Sequence, residues 1–325
     1  MPPSIAPDGR RSRPSQLSIV LAFLSVYFCW GATYTAMSVG VQLLPATILA
    51  GTRMLIGAAV MLTFCALRGR RIFWNRRVMA RLMLLGLMLL FGGNLALVWS
   101  EKYLASGLSA LIVAVVPLYI VLIEILIPGG DRLRRQGYIG LGLGFAALVA
   151  LLWPSLRNSL SGHPMQLIAI LLVLVGALSW ASGSVLSRRM NLPVDPLVAA
   201  GWEMFAAGVT NILLATVFWE WPHAVWNWHS VGAIGYLVIF GSLLGFSCYM
   251  WLIAHVPVAK VATYAYVNPV VAVIMGAVFL GERLAPTEYI GMIGVVLAVV
   301  LVTSSRLKTG QAAAEVECVA VESEA

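Results

Sequence analysis

The sequence predicts an all-α polytopic membrane protein, with ten transmembrane helices arranged as two inverted five-helix repeats. Three observations lead there. Of the 325 residues, 61% are hydrophobic and only 10% charged, with mean hydropathy +0.92, whereas soluble domains are about 25% charged. The apolar residues gather in stretches close to the ~20 needed for a helix to cross a ~30 Å hydrocarbon core. The chain also repeats itself at an offset near 150 residues.

Charges, Pro and Gly divide the chain into spans at about 17–38, 46–67, 78–99, 103–126, 137–153, 165–186, 196–218, 230–252, 258–280 and 287–304. Arg10, Arg11 and Arg13 precede the first. It reads as an uncleaved helix, because its apolar run outlasts a signal-peptide core and lacks a small-residue cleavage site. Sixteen of the 21 Lys and Arg fall in the tails and loops of one side, against Lys102, Arg157 and Arg283 on the other. The positive-inside rule then puts both termini in the cytoplasm. Trp153, Trp219, Trp221, Trp226 and Trp228 fall at the outer interface as an aromatic belt. The basic clusters lie between apolar stretches, so topology rather than nucleic acid accounts for pI 9.6. Residues 1–16 and 305–325 read as cytoplasmic tails, with 1–13 and 305–325 of polar, disordered composition. Cys29, Cys65 and Cys248 lie in spans and Cys318 in the C-terminal tail, a pattern of buried thiols rather than a disulfide framework.

The repeat organises the rest. Trp30 aligns with Trp180, Gly51 with Gly201 and Arg53 with Glu203 at an offset of 150; Phe91-Gly92 aligns with Phe240-Gly241, and Val116-Pro117 with Asn268-Pro269. Residues 17–153 and 165–304 are therefore two copies of one unit. Five spans per copy is odd, so the second copy enters the membrane from the opposite side. Such inverted repeats recur in carriers, where exchanging the conformations of the halves gives alternating access.

Four segments carry a resemblance: Cys29-Trp30-Gly31-Ala32-Thr33-Tyr34, Ala50-Gly51-Thr52-Arg53, Ser106-Gly107-Leu108-Ser109-Ala110, and Thr263-Tyr264-Ala265-Tyr266-Val267-Asn268-Pro269 running on to Gly281-Glu282-Arg283-Leu284. With the duplication, they resemble the EamA-type permeases of the drug/metabolite transporter superfamily. That resemblance implies a carrier in the bacterial inner membrane, often an exporter of amino acids or other small metabolites. The first copy departs from it at Ile127-Pro128-Gly129-Gly130-Asp131, so a role for Gly281-Glu282 does not extend to both halves.

A charge inside a span is costly and marks a function or a built partner. Arg53 lies seven residues into the second span, roughly 10 Å below the outer face, and Glu203 mirrors it from the inner face. Arg53 can hold a substrate carboxylate, and Glu203 a substrate amine or a proton. Pro117 and Pro269 each free a carbonyl one turn back and break their helices. Asn268, Tyr264 and Tyr266 make the ninth span the most polar-aromatic of the late ones, and Asn94 puts a lone amide in the third. Trp30, Tyr34 and Trp180 offer aromatic surface at depth. Together these form the candidate substrate pathway, although Asn268 and Asn94 serve equally well as bonds between helices. Glu124 and Lys260 sit near span ends and can snorkel.

The four histidines fall in loops or at interfaces, which leaves neither a His-Glu-x-x-His pair nor a membrane-embedded Ser/His site, so an enzyme is not expected. No phosphate-binding loop is present, which points to secondary or facilitative transport with no cofactor or metal. The expected partners are a small-molecule substrate, membrane lipid and a proton as coupling ion, with a monomer as the simplest assembly. A multidrug or organic-cation exporter is the alternative within the same superfamily, and a channel the alternative outside it.

Overall fold

The computed structural model describes residues 15–128, 135–160 and 164–283, and beyond them 286, 289–298 and 300–301; of 154–160, 258, 259 and 266 it describes the backbone alone. The tails read as disordered, and Asp131 with its neighbours, lie outside these residues. Every regular element among the described residues is helical. Eight helices are long and apolar enough to cross a membrane: α1 (Gln16–Val41), α2 (Ala46–Leu67), α3 (Arg76–Ser100), α4 (Ser106–Leu126), α5 (Arg135–Trp153), α6 (Pro164–Met190), α7 (Pro196–Val217) and α8 (Trp228–His255). Two shorter apolar helices follow, α9 (Val267–Leu280) and α10 (Tyr289–Ala298).

Several starts are capped as the sequence dictates. Ser15 accepts from the Ser18 amide, Asn75 from Val78, Asp195 from Leu197 with Pro196 behind it, and Asn227 forms a capping box with Ser230. Leu21, Leu24, Ile56, Val60, Val175 and Phe279, among others, are exposed, the inside-out pattern of a protein whose surroundings are apolar.

The fourth span, α4, starts at Ser106 and is interrupted at Ala114–Val115, where the missing N–H of Pro117 leaves a turn without its bond. The ninth is not continuous either. It is a single turn, Val258–Val261, then a break, then Tyr264–Met275, with Pro269 tolerated inside that helix and the interruption falling seven residues earlier at Ala262.

Backbone irregularity recurs elsewhere at matched positions. Leu87–Leu95 of α3 and Leu237–Phe246 of α8 form wide π turns, and Val26–Trp30 of α1 forms a third. Such turns loosen the hydrogen-bond ladder and leave carbonyls to find other partners. The first helix of each half supplies some of these to the third helix of the other. Trp30 Nε1 donates to Gly241 O at 3.0 Å, and Ser179 Oγ donates to Met88 O at 2.7 Å.

At the centre, α2 packs against α7 with reciprocal contacts. The space beside Gly51 is filled by Asn211 and Ile212, and the space beside Gly201 by Met61 and Leu62. The start of each helix thus meets the end of the other, so the two run antiparallel. Small residues let the backbones approach where lipid offers no hydrophobic drive. Two buried apolar clusters flank this pair, and Trp180 and Leu243 touch both.

Candidate functional site

A cavity of about 80 Å³ lies between the two halves. Trp30, Tyr34, Arg53, Asn94, Trp180, Tyr264 and Asn268 all line it. These residues come from α1, α2, α3, α6 and the segment entering α9, so both halves build the wall. Arg53 reaches it because the small residues around Gly51 draw α2 to the molecular centre. Only 4% of Arg53 is exposed, and Nη2 donates to Asn94 Oδ1 at 2.6 Å while Nε has no partner. Asn94 sits in the wide turn of α3. The guanidinium is thus held by one neutral acceptor and retains donors for a ligand.

The same cavity has an aromatic lining. Trp30 meets Trp180 edge-on at 5.5 Å and Tyr264 edge-on at 5.2 Å, and Tyr249 lies 5.0 Å from Trp30. Trp180 Nε1 donates to the Tyr249 hydroxyl at 3.1 Å, which bonds Ser184 Oγ at 2.7 Å. The polar edges of Trp30, Trp180 and Tyr249 are satisfied, and the rings of Trp30, Trp180 and Tyr264 face the cavity's lining. Packing fixes Trp30 further, because the place a side chain would take at Gly245 is occupied by its indole.

Asn268 serves a second purpose. With its amide turned to satisfy both, it donates to Tyr27 O at 3.0 Å and Tyr264 O at 3.2 Å. Tyr27 belongs to the wide turn of α1 and Tyr264 follows the break before α9. One amide therefore ties the backbone of α1 to the segment entering α9 while lining the cavity.

Glu203 is elsewhere. It is fully buried, neither carboxylate oxygen has a partner, and it lines a different cavity of about 380 Å³ with Ser187, Arg188, Asn191 and His255. The two cavities share no lining residue, and Tyr249 and Phe246 are buried near the boundary between them. Arg53 and Glu203 therefore make no ion pair, as their depths imply. The side chain of Tyr266 lies outside the described residues.

Two buried polar positions escape sequence reasoning. Ser184 looks like an ordinary residue of an apolar span, and only the hydroxyl of Tyr249, an aromatic residue of the eighth span, reveals its part in a network with Trp180. Glu101, just 2% exposed, sits between spans where a charge attracts no notice. A signal existed for its neighbour Glu282, which belongs to the Gly-Glu-Arg-Leu segment found in one copy alone.

Comparison with known proteins agrees with this architecture. The EamA-like transporter family matches the chain twice, over residues 17–153 and 167–304. The inner membrane transporter YedA of Escherichia coli K12 is 37% identical over 283 residues, 87% of this chain and 89% of its own. The transporter YoaV of Bacillus subtilis is 21% identical, covering 85% and 93%. A chloroplastic WAT1-related protein of Arabidopsis thaliana is 25% identical, covering 86% and 68%. A solved crystal structure shares the fold with TM-score 0.67 at 23% identity, over 89% of this chain and 99% of that one. Two family matches spanning nearly all the helices, together with the relative at 37%, make this chain a member of the EamA-like transporter family, a multi-pass membrane transporter built from two repeats.

Proposed function

We propose that the chain is a secondary or facilitative exporter of small metabolites such as amino acids in the bacterial inner membrane. It works by alternating access about a pseudo-two-fold axis in the membrane plane, with ten membrane-crossing helices and both termini in the cytoplasm. The antiparallel, reciprocal contact of α2 with α7 supports the inversion, since these are the same helix of the two copies. The observation that carries the substrate reading is the cavity shared by both halves, lined by a partly satisfied guanidinium and by aromatic rings. A carboxylate suits Arg53, and an apolar or cationic group suits the rings.

Glu203 lies in a separate cavity and serves either a substrate amine or a coupling proton on the cytoplasmic side of the aromatic layer. Its unpartnered carboxyl also keeps the organic-cation reading alive.

Reconstitution in lipid vesicles tests these readings. Counterflow of amino acids is expected, with cationic drugs and sugars as the competing panel; flux of cationic drugs alone would replace the metabolite reading with the organic-cation one. Under an imposed pH gradient, flux driven equally well in wild type and Glu203→Gln would exclude Glu203 as the coupling site.

A further inference from the structure

The α9 helix ends in a way that reaches across the molecule. Its last turn, Gly276–Leu280, is wide and stops at Gly281, whose φ of 67° is left-handed and favours glycine. The Glu282 amide then donates back to Gly276 O at 3.2 Å. This reversal lays the Glu282 carboxylate over the start of α4, where it accepts from Ser106 N at 3.0 Å, Ser106 Oγ at 2.7 Å and Gly107 N at 3.4 Å. A carboxylate there satisfies orphan amides and the positive end of the helix dipole. The cap comes from the other repeat. A side chain at Gly276 would collide with Glu282 Oε2 and with Ser106 Oγ, so the latch occupies that space.

Glu101 lies in the α3–α4 turn beside this latch. It is almost wholly buried, and neither carboxylate oxygen has a hydrogen-bond partner. Burial raises its pKa well above the carboxylate range; the negative Glu282 raises it further, and the Ser109 hydroxyl of α4 opposes both. Tyr34 of α1, on the cavity wall, is within electrostatic reach of Glu101. Its sequence neighbour Lys102 is exposed, as is Arg283 beside Glu282. Two carboxylates in one buried space are tolerated when one of them is neutral.

We propose that Glu101 is a proton-binding site, distinct from Glu203, whose proton keeps the Glu282 carboxylate seated on the start of α4. Deprotonation places a second negative charge beside the latch and loosens it, uncoupling α9 of one repeat from α4 of the other. Tyr34 and Glu282 are both within electrostatic reach of the site, so it couples the cavity wall to that latch. The proposal concerns the protein itself and does not depend on which substrate is carried.

Infrared titration of the full chain in lipid nanodiscs tests it. A protonated-carboxyl band is expected to persist above the ordinary carboxylate range, to disappear in Glu101→Gln and to survive in Glu203→Gln. In Glu282→Gln its midpoint is expected to fall by about one pH unit or more, a tenfold loss of proton affinity. A band untouched by Glu101→Gln, or a midpoint indifferent to Glu282→Gln, overturns the proposal. So does a midpoint that moves when sodium chloride replaces choline chloride, which would assign the site to a metal cation. Thermal unfolding gives a second readout. The native state holds this proton to higher pH than the unfolded chain, so stability is full at low pH and declines as pH rises through the native midpoint. Glu101→Gln is expected to flatten that decline, and an unchanged slope counts against the site. If Glu101→Gln does not fold, Glu101→Asp carries the infrared test, with an unmoved midpoint as the overturning result.

Discussion

The same position of the repeat is used twice, in α2 and α7, with opposite consequences. Arg53 and Glu203 are both buried, both seven residues inside their helices and both held near the centre by the antiparallel pairing of those helices. Yet Arg53 has an amide acceptor at 2.6 Å, and Glu203 has no partner at either oxygen. Symmetry of backbone has not imposed symmetry of environment. The difference lies in α3 and α8: the first brings Asn94 to Arg53, whereas its counterpart, in the register that pairs Phe91-Gly92 with Phe240-Gly241, is Leu243. An unpaired buried group costs stability and is retained where a ligand or proton completes it.

Substituting both charges by the same residue sharpens this contrast, since the signs should differ. Arg53→Leu strands Asn94 and removes a charge-assisted hydrogen bond, and is expected to destabilise the protein by about 1.5–3 kcal/mol. Thermal unfolding in detergent checks this, and an unchanged midpoint would show that the Arg53–Asn94 pair contributes nothing. Glu203→Leu removes an unpaired buried carboxyl, so it is expected to raise stability by about 1–2 kcal/mol while impairing transport, the exchange typical of functional positions. A fall in unfolding midpoint in Glu203→Leu would mean that the carboxyl has a structural partner after all. The smallest effect is expected at Arg70. Its ion pair with Asp195 measures 2.7 Å, but the side chains are 37% and 36% exposed, so solvent screens it. Arg70→Ala should shift stability by less than about 1 kcal/mol, and a larger loss would reveal that the link between the α2 and α7 ends does more than cap a helix.

Much of this was legible in the sequence because lipid simplifies the code. A charge or amide in an apolar run stands out, and the repeat offset then pairs it with its counterpart; Trp30, Arg53, Asn94 and Trp180 were all found that way and all line one cavity. Depth along the span puts Glu203 toward the inner face, but composition could not reveal the separate cavity that it lines, since that depends on how Tyr249 and Phe246 are seated. Wide turns were invisible for another reason. An extra residue within Leu87–Leu95 leaves the run just as apolar, and only the geometry of the hydrogen-bond ladder exposes it. Glu101 was hidden by its position in a connection, where charge is the norm and burial at 2% is not.

Those wide turns also date the molecule. Leu87–Leu95 and Leu237–Phe246 lie at the offset that separates the two copies, yet the side chains around them differ, with Asn94 in one and Leu243 in the other. By parsimony the surplus residue was present in the single ancestral unit before it was copied, and the unlike charges at Arg53 and Glu203 arose afterwards.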